Sequence, residues 1–150
     1  MAWRPAMLGQ AEKEDLLREE PAAAQWIRPY CGANEFLNGE LRWCLWLKAI
    51  SPTQLAQLPA VRSRVEKVRD MRLQSKAEAT RRRALTPILF AQDAQPNENY
   101  ILVPLHSSEN RPYMVVGFVT PDVIASNACA TIPGASLYDL GVLSSAMHIA

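Results

Sequence analysis

The pattern of apolar and polar positions divides this chain into a helical first part, a strand-rich middle and a helical end. Residues 11–27 predict a helix with a break. Glu12, Glu14, Asp15, Glu19 and Glu20 make a solvated acidic face, and Pro21 starts a second short helix over 22–27. Arg28-Pro29 is expected to close that helix, and Gly32 and Asn38-Gly39 to mark turns. Over 40–48 the period drops to two. Leu41, Trp43, Leu45 and Leu47 fall on one face of a strand, and Arg42, Cys44, Trp46 and Lys48 on the other. Ser51-Pro52 then reads as an N-cap with proline at the first helical position, opening a short helix to Leu58. Pro59 opens a longer helix to about Ser75, with Leu58, Val61, Val65 and Val68 at helical spacing.

Residues 87–91, 100–105, 113–119 and 123–132 are rich in β-branched and aromatic side chains and predict strands. Turn signals at 95–97, 107–112 and 120–122 separate them, and Pro104 predicts an edge or a bulge. Pro133-Gly134 ends the strands. Ser136 can cap a final helix running to the chain end. The order helices, strands, helix predicts an α+β fold around a mainly antiparallel sheet. A length of 150 residues fits one domain, 1–150. The apolar, uncapped end at 144–150 predicts a piece of a longer polypeptide.

Composition adds limits. No apolar run approaches the roughly 20 residues of a membrane span, and the N-terminus lacks a signal-peptide apolar core. Cys31, Cys44 and Cys129 are odd in number and widely spaced, which suits buried thiols in a reducing, cytoplasmic setting. Net charge is only +1, yet residues 62–83 carry nine positive and three negative side chains, a local +6. Any polyanion partner must therefore be met by this segment and not by the total charge.

Catalytic constellations are missing from the sequence. None of the six glycines lies within four residues of another, so no glycine-rich loop can cradle a phosphate or an adenosyl group. No lysine follows an acidic residue at the spacing of a nuclease metal site, and no Asn-Pro-Pro-aromatic run could hold a flipped adenine. His106 and His148 are far apart, and no Cys-x-x-Cys pair suggests a metal. His106-Ser107-Ser108-Glu109 holds the residue types of a hydrolase triad. Neighbours on an extended chain point oppositely, so a polar hairpin loop is the better reading.

Six ordered runs carry a resemblance. They are Ile27-Arg28-Pro29-Tyr30, Glu35-Phe36-Leu37-Asn38-Gly39, Arg42-Trp43-Cys44-Leu45-Trp46-Leu47, Ser107-Ser108-Glu109-Asn110-Arg111, Asp122-Val123-Ile124-Ala125-Ser126 and Leu143-Ser144-Ser145-Ala146-Met147-His148. Together they resemble the target recognition domain of MmeI-like restriction–modification enzymes, over roughly residues 20–150. The resemblance implies a non-catalytic module that reads double-stranded DNA. Its parent would be an adenine-N6 DNA methyltransferase that binds S-adenosylmethionine elsewhere. The methyltransferase domain and a following helical segment would be its partners on the same polypeptide. It also implies that Asn127 and Ala128 match positions that vary with the target sequence, and that Leu105 lies near another.

The residues themselves supply candidates beside these. Lys76, Arg81, Arg82 and Arg83 are the phosphate-contact candidates of the basic segment, against the alternative of a solvated basic loop. Arg111 could reach a phosphate or a guanine edge. Asn127, expected within a strand, could bond an adenine edge through its amide. The alternation places Trp43 in the core, while Trp46 could stack on a base. The alternative function is a protein-interaction or scaffolding module whose basic segment meets an acidic partner.

Overall fold

The computed structural model describes residues 4–90, 95–106 and 114–145. A 3-10 turn at Arg4–Ala6 leads to β1 (Met7–Leu8) and α1 (Gln10–Glu19), followed by a 3-10 helix at Pro21–Trp26. Then come β2 (Ile27–Cys31), α2 (Ala33–Asn38), β3 (Trp43–Leu45), α3 (Pro52–Ala56), α4 (Pro59–Leu73) and α5 (Glu78–Arg82), with a 3-10 turn at Arg83–Leu85. The remainder holds β4 (Tyr100–Pro104), β5 (Gly117–Val119), β6 (Ile124–Ala125), β7 (Cys129–Pro133) and α6 (Leu137–Leu143). This is an α+β fold with mainly antiparallel pairing and a C-terminal helix. None of these helices is long and apolar enough to cross a membrane.

The chain folds as two compact units. The first takes Met1–Arg28 and Arg42–Asp93, and the second Pro29–Leu41 and Ala94–Ala150. In the first unit β1 pairs antiparallel with β3, and Leu8, Leu16, Leu45, Leu47, Val61 and Val68 form a closed core. Each such aliphatic side chain contributes about 1.5–3 kcal/mol by leaving water. The main helix, α4, sends Val61, Val65, Val68 and then Arg72 into this unit. Its N-terminus has no capping side chain of its own. Glu20 supplies one from a distance, accepting from Ala60 N at 2.5 Å and Val61 N at 3.1 Å. A buried carboxylate there satisfies two open N–H groups and complements the helix dipole.

In the second unit β4 is the central strand, antiparallel to β5 on one side and to β7 on the other. Tyr100, Ile101 and Leu102 are fully buried on both of its faces, so this strand shows no alternation of burial. Cys31, Ala33, Phe36 and Val119 close the small core around Tyr100, Leu102 and Cys129. Here β6 pairs in parallel with the end of β2, Tyr30 opposite Ile124 and Cys31 opposite Ala125. The same strand carries Pro29, so Arg28-Pro29 lies within β2 and does not merely end a helix.

Other expectations shift in bounds. The alternation over 40–48 yields a strand only at Trp43–Leu45, with Leu41 75% exposed and Cys44 buried on the opposite face. Pro87–Phe90 forms turns, and Ala91 lies outside the described residues. Of 113–119, only Gly117–Val119 is strand, with Tyr113 also outside the described residues. The run 123–132 is broken into β6 and β7. Pro104 sits at the end of the central strand, two residues past the last β4–β5 pair, where its missing N–H is harmless. The helix capped by Ser136 ends at Leu143, where the Ser144 hydroxyl donates to Leu140 O at 2.7 Å.

Candidate nucleic-acid interface

The break between β6 and β7 places the residues that the resemblance singled out. Asn127 and Ala128 form a turn, and Asn127 is exposed rather than set within a strand as expected. Leu105 N donates to Ala128 O at 3.0 Å, continuing the β4–β7 ladder one step beyond the strands. Leu105, Asn127 and Ala128 therefore gather at one end of the three-stranded sheet. Leu105 is exposed as well.

Ser126 shapes this turn. It is buried, its N–H donates to Cys31 O at 2.9 Å, and its carbonyl accepts from Cys129 N at 3.0 Å. Its hydroxyl oxygen accepts from Ala128 N at 3.1 Å. A serine hydroxyl that takes a backbone N–H two residues on competes with the ladder, which is why the strand stops here. Nothing in the alternation of 123–132 signals it, but Ser126-Asn127 is a turn-forming pair that the apolar run obscured.

Upstream of the turn, Gln95 reaches across. Its Nε2 donates to Pro121 O at 3.1 Å and to Val123 O at 2.8 Å, and its Oε1 accepts from Ala125 N at 3.0 Å. The Tyr100 hydroxyl also donates to Val123 O, at 2.7 Å. Burial pushes the Tyr100 phenol above its usual range, opposed by a hydrogen bond with the Gln95 side chain, which lowers it. Sequence reading missed Gln95, because its partners lie 26–30 residues away.

The basic segment of the first unit is sorted by its partners. Arg72 is 1% exposed. It donates from Nη1 to Arg83 O at 2.5 Å and Thr86 O at 2.9 Å, and from Nη2 to Leu89 O at 2.8 Å. It is thus a structural clamp that folds 83–89 onto α4, and burial, then Arg83, lowers its pKa. Arg81 donates to the Ser75 and Lys76 carbonyls, both at 2.9 Å. Arg82 pairs with Glu78 at 2.7 Å, Arg62 with Glu66 at 3.3 Å, and Arg64 bonds Pro5 O at 3.0 Å. Lys67, Arg69, Lys76 and Arg83 are exposed, and their head groups have no ion pair or hydrogen bond among the described residues. Arg111 lies outside the described residues, as do Ser107, Ser108, Glu109 and Asn110.

The tryptophans divide. Trp43 packs against the first core, with the Lys13 ammonium 4.2 Å from its ring centre. Trp46 packs on Phe90 at 5.2 Å between ring centroids, tilted by 45°. All three cysteines are free thiols. Burial pushes Cys44 up to about 12 and Cys129 up to about 11, and raises Cys31 as well. Such thiols act as small apolar core residues.

The fold is that of one class of protein, the target recognition domains. The chain belongs to the family described as MmeI, target recognition domain, which it matches over residues 5–150. It is 36% identical over 139 residues to DNA methyltransferase A of Bacillus subtilis (strain 168), a match covering 92% of this chain and 16% of that protein. It also matches a solved structure of the type IIL restriction–modification enzyme MmeI in complex with DNA. There the TM-score is 0.94 at 40% identity, over 96% of this chain and 19% of that one. The chain thus spans less than a fifth of either relative's length.

Proposed function

We propose that this chain is the target recognition domain of an adenine-N6 DNA methyltransferase with a restriction–modification role, and that it selects the sequence in double-stranded DNA. The observation that carries this is its likeness, over nearly its whole length, to a domain of an enzyme solved on DNA. Both units together make one module, and chemistry lies with the rest of the polypeptide. S-adenosylmethionine belongs there too. The glycines of this chain are too scattered to cradle an adenosyl group, and Gly32 is spent on starting α2. The methyltransferase domain and a helical segment are its partners in the same cytoplasmic enzyme.

The division of labour follows from base chemistry. A methyltransferase extrudes its target base from the stack, and flipping one base cannot encode a longer site. A separate reader supplies base-edge contacts, while cations on phosphates hold register. Asn127 is the main base-reading residue, with Ala128 and Leu105 beside it. Lys76 and Arg83 contact phosphates. Arg81 and Arg82 support them by shaping and screening the same segment, and Arg111 is a further contact.

The test is binding of this chain to a random-sequence duplex across a salt series. Weak binding that collapses as salt rises supports the reading. A scaffolding module for an acidic protein does not require it, and absence of binding at low salt would remove the DNA assignment. Replacing Asn127 in the intact enzyme should change the base accepted at one position of the methylated motif.

A further inference from the structure

We propose that Gln95 and Ser126 are positioning residues for target choice, holding the Asn127–Ala128 turn in the one geometry that discriminates between bases. This rests on the reading of that turn as base-contacting. The strand β6 is two residues long and its pairing with β2 spans only Tyr30–Ile124 and Cys31–Ala125. So short a ladder cannot by itself fix a turn. The Gln95 amide takes the place of a missing strand. It offers a donor pair and an acceptor to alternate backbone groups, as a peptide unit would, at Pro121, Val123 and Ala125.

Ser126 carries that order into the turn. Its backbone is tied to Cys31 and Cys129, and its hydroxyl to Ala128 N. A side chain on Gly32 would come within 3.3 Å of Ser126 Cβ, so β2 and the turn are packed without slack. The result is an exposed Asn127 side chain on a backbone fastened at both ends. A bidentate contact to a base edge tolerates only about 0.5 Å of misplacement. Loosening the turn should therefore blur base choice while leaving phosphate contacts untouched.

The experiment uses the intact methyltransferase that carries this domain. The motif it methylates is read by sequencing treated plasmid DNA. Duplexes altered at single motif positions then give kcat/KM ratios for wild type, Ser126→Ala, Gln95→Ala, Tyr100→Phe and Asn127→Ala. Ser126→Ala should lower discrimination about tenfold at one or two adjacent positions. Affinity for random-sequence duplex and its salt slope should stay within about twofold. Tyr100→Phe, which removes one bond to Val123 O, should act in the same direction and less.

Unchanged discrimination, or an equal loss at every position, in Ser126→Ala protein with a wild-type melting curve overturns the proposal. Should Gln95→Ala fail to fold, Ser126→Ala and Tyr100→Phe still decide. The Asn127→Ala arm is separate. If it leaves the motif intact while Ser126→Ala relaxes it, only the assignment of Asn127 as reader falls. An enzyme that methylates no defined motif sinks the functional reading itself.

Discussion

A buried guanidinium has to find acceptors for its N–H groups, and Arg72 finds three carbonyls, of Arg83, Thr86 and Leu89. Replacing it by leucine orphans those groups, each worth about 1–3 kcal/mol when buried. Arg72→Leu is expected to cost about 3 kcal/mol or more in urea denaturation, and Arg72→Lys nearly as much, since a point charge cannot reach three acceptors. A loss under about 1 kcal/mol would mean that water replaces the guanidinium. The position was open to sequence reading. Val61, Val65, Val68 and Arg72 form one stripe of α4, and an arginine that continues an apolar stripe must be answered by acceptors. Counting it among surface charges hid this. The raised thiol pKa values of Cys44, about 12, and Cys129, about 11, give a second expectation at this scale. A raised value depletes the reactive thiolate. Iodoacetamide at pH 8 should label the folded chain far more slowly than the same chain in guanidinium. Equal rates would contradict the burial described for them.

Among elements, local signals were legible and distant partners were not. Ser51-Pro52 and Ser136 announced α3 and α6 through capping chemistry contained within four residues, and Pro59 announced α4 as its first residue. The short α2 carried a comparable sign in Gly32-Ala33-Asn34-Glu35, where Gly32 N donates to Glu35 Oε2 at 3.0 Å, but a glycine there reads first as a turn. In β2 one strand partner, Ile124–Ala125, lies more than ninety residues along the chain, so nothing near Pro29 foretold that parallel pairing. The Glu20 cap of α4 is also non-local, 40 and 41 residues from the N–H groups it accepts from. Glu20→Ala should destabilise by about 1–2 kcal/mol, whereas Arg62→Ala, which breaks only an exposed pair, should cost under about 0.5 kcal/mol. Chemical denaturation of both variants checks the contrast. At α6, the Asp139 carboxyl is held below its usual 3.8 by the Ser136 hydroxyl and then the Ser136 N–H. A depressed folded value means the cap is complete at neutral pH and above 3.8, and is lost as pH falls through the lower folded value. Amide exchange in α6 should quicken below that pH while α4 stays protected.

For the whole molecule, the formal +6 of residues 62–83 overstates what a polyanion meets. Arg72 is buried, Arg81 is tied to carbonyls, and Arg62 and Arg82 are paired with Glu66 and Glu78. Each phosphate neutralised contributes about 0.9 to the slope of log affinity against log salt. Lys76→Ala and Arg83→Ala should each lower that slope by about 0.9 on a random duplex, and Arg62→Ala should leave it alone. Equal slopes for all three would place the phosphate track elsewhere. The basic segment was thus legible as a segment, while the sorting of its side chains into buried, paired and exposed depended on partners that charge counting does not see. The Asn127–Ala128 turn has a consequence of another kind. Its backbone is fastened by the Ser126 backbone, Gln95 and β4, and the side chain at 127 enters only through a 3.4 Å bond from the Ser126 hydroxyl to Asn127 Oδ1. Exchanges at such an exposed position cost folding about 0.5 kcal/mol or less. A lineage carrying this domain can therefore try new side chains there one codon at a time, and each trial begins from a protein that still folds.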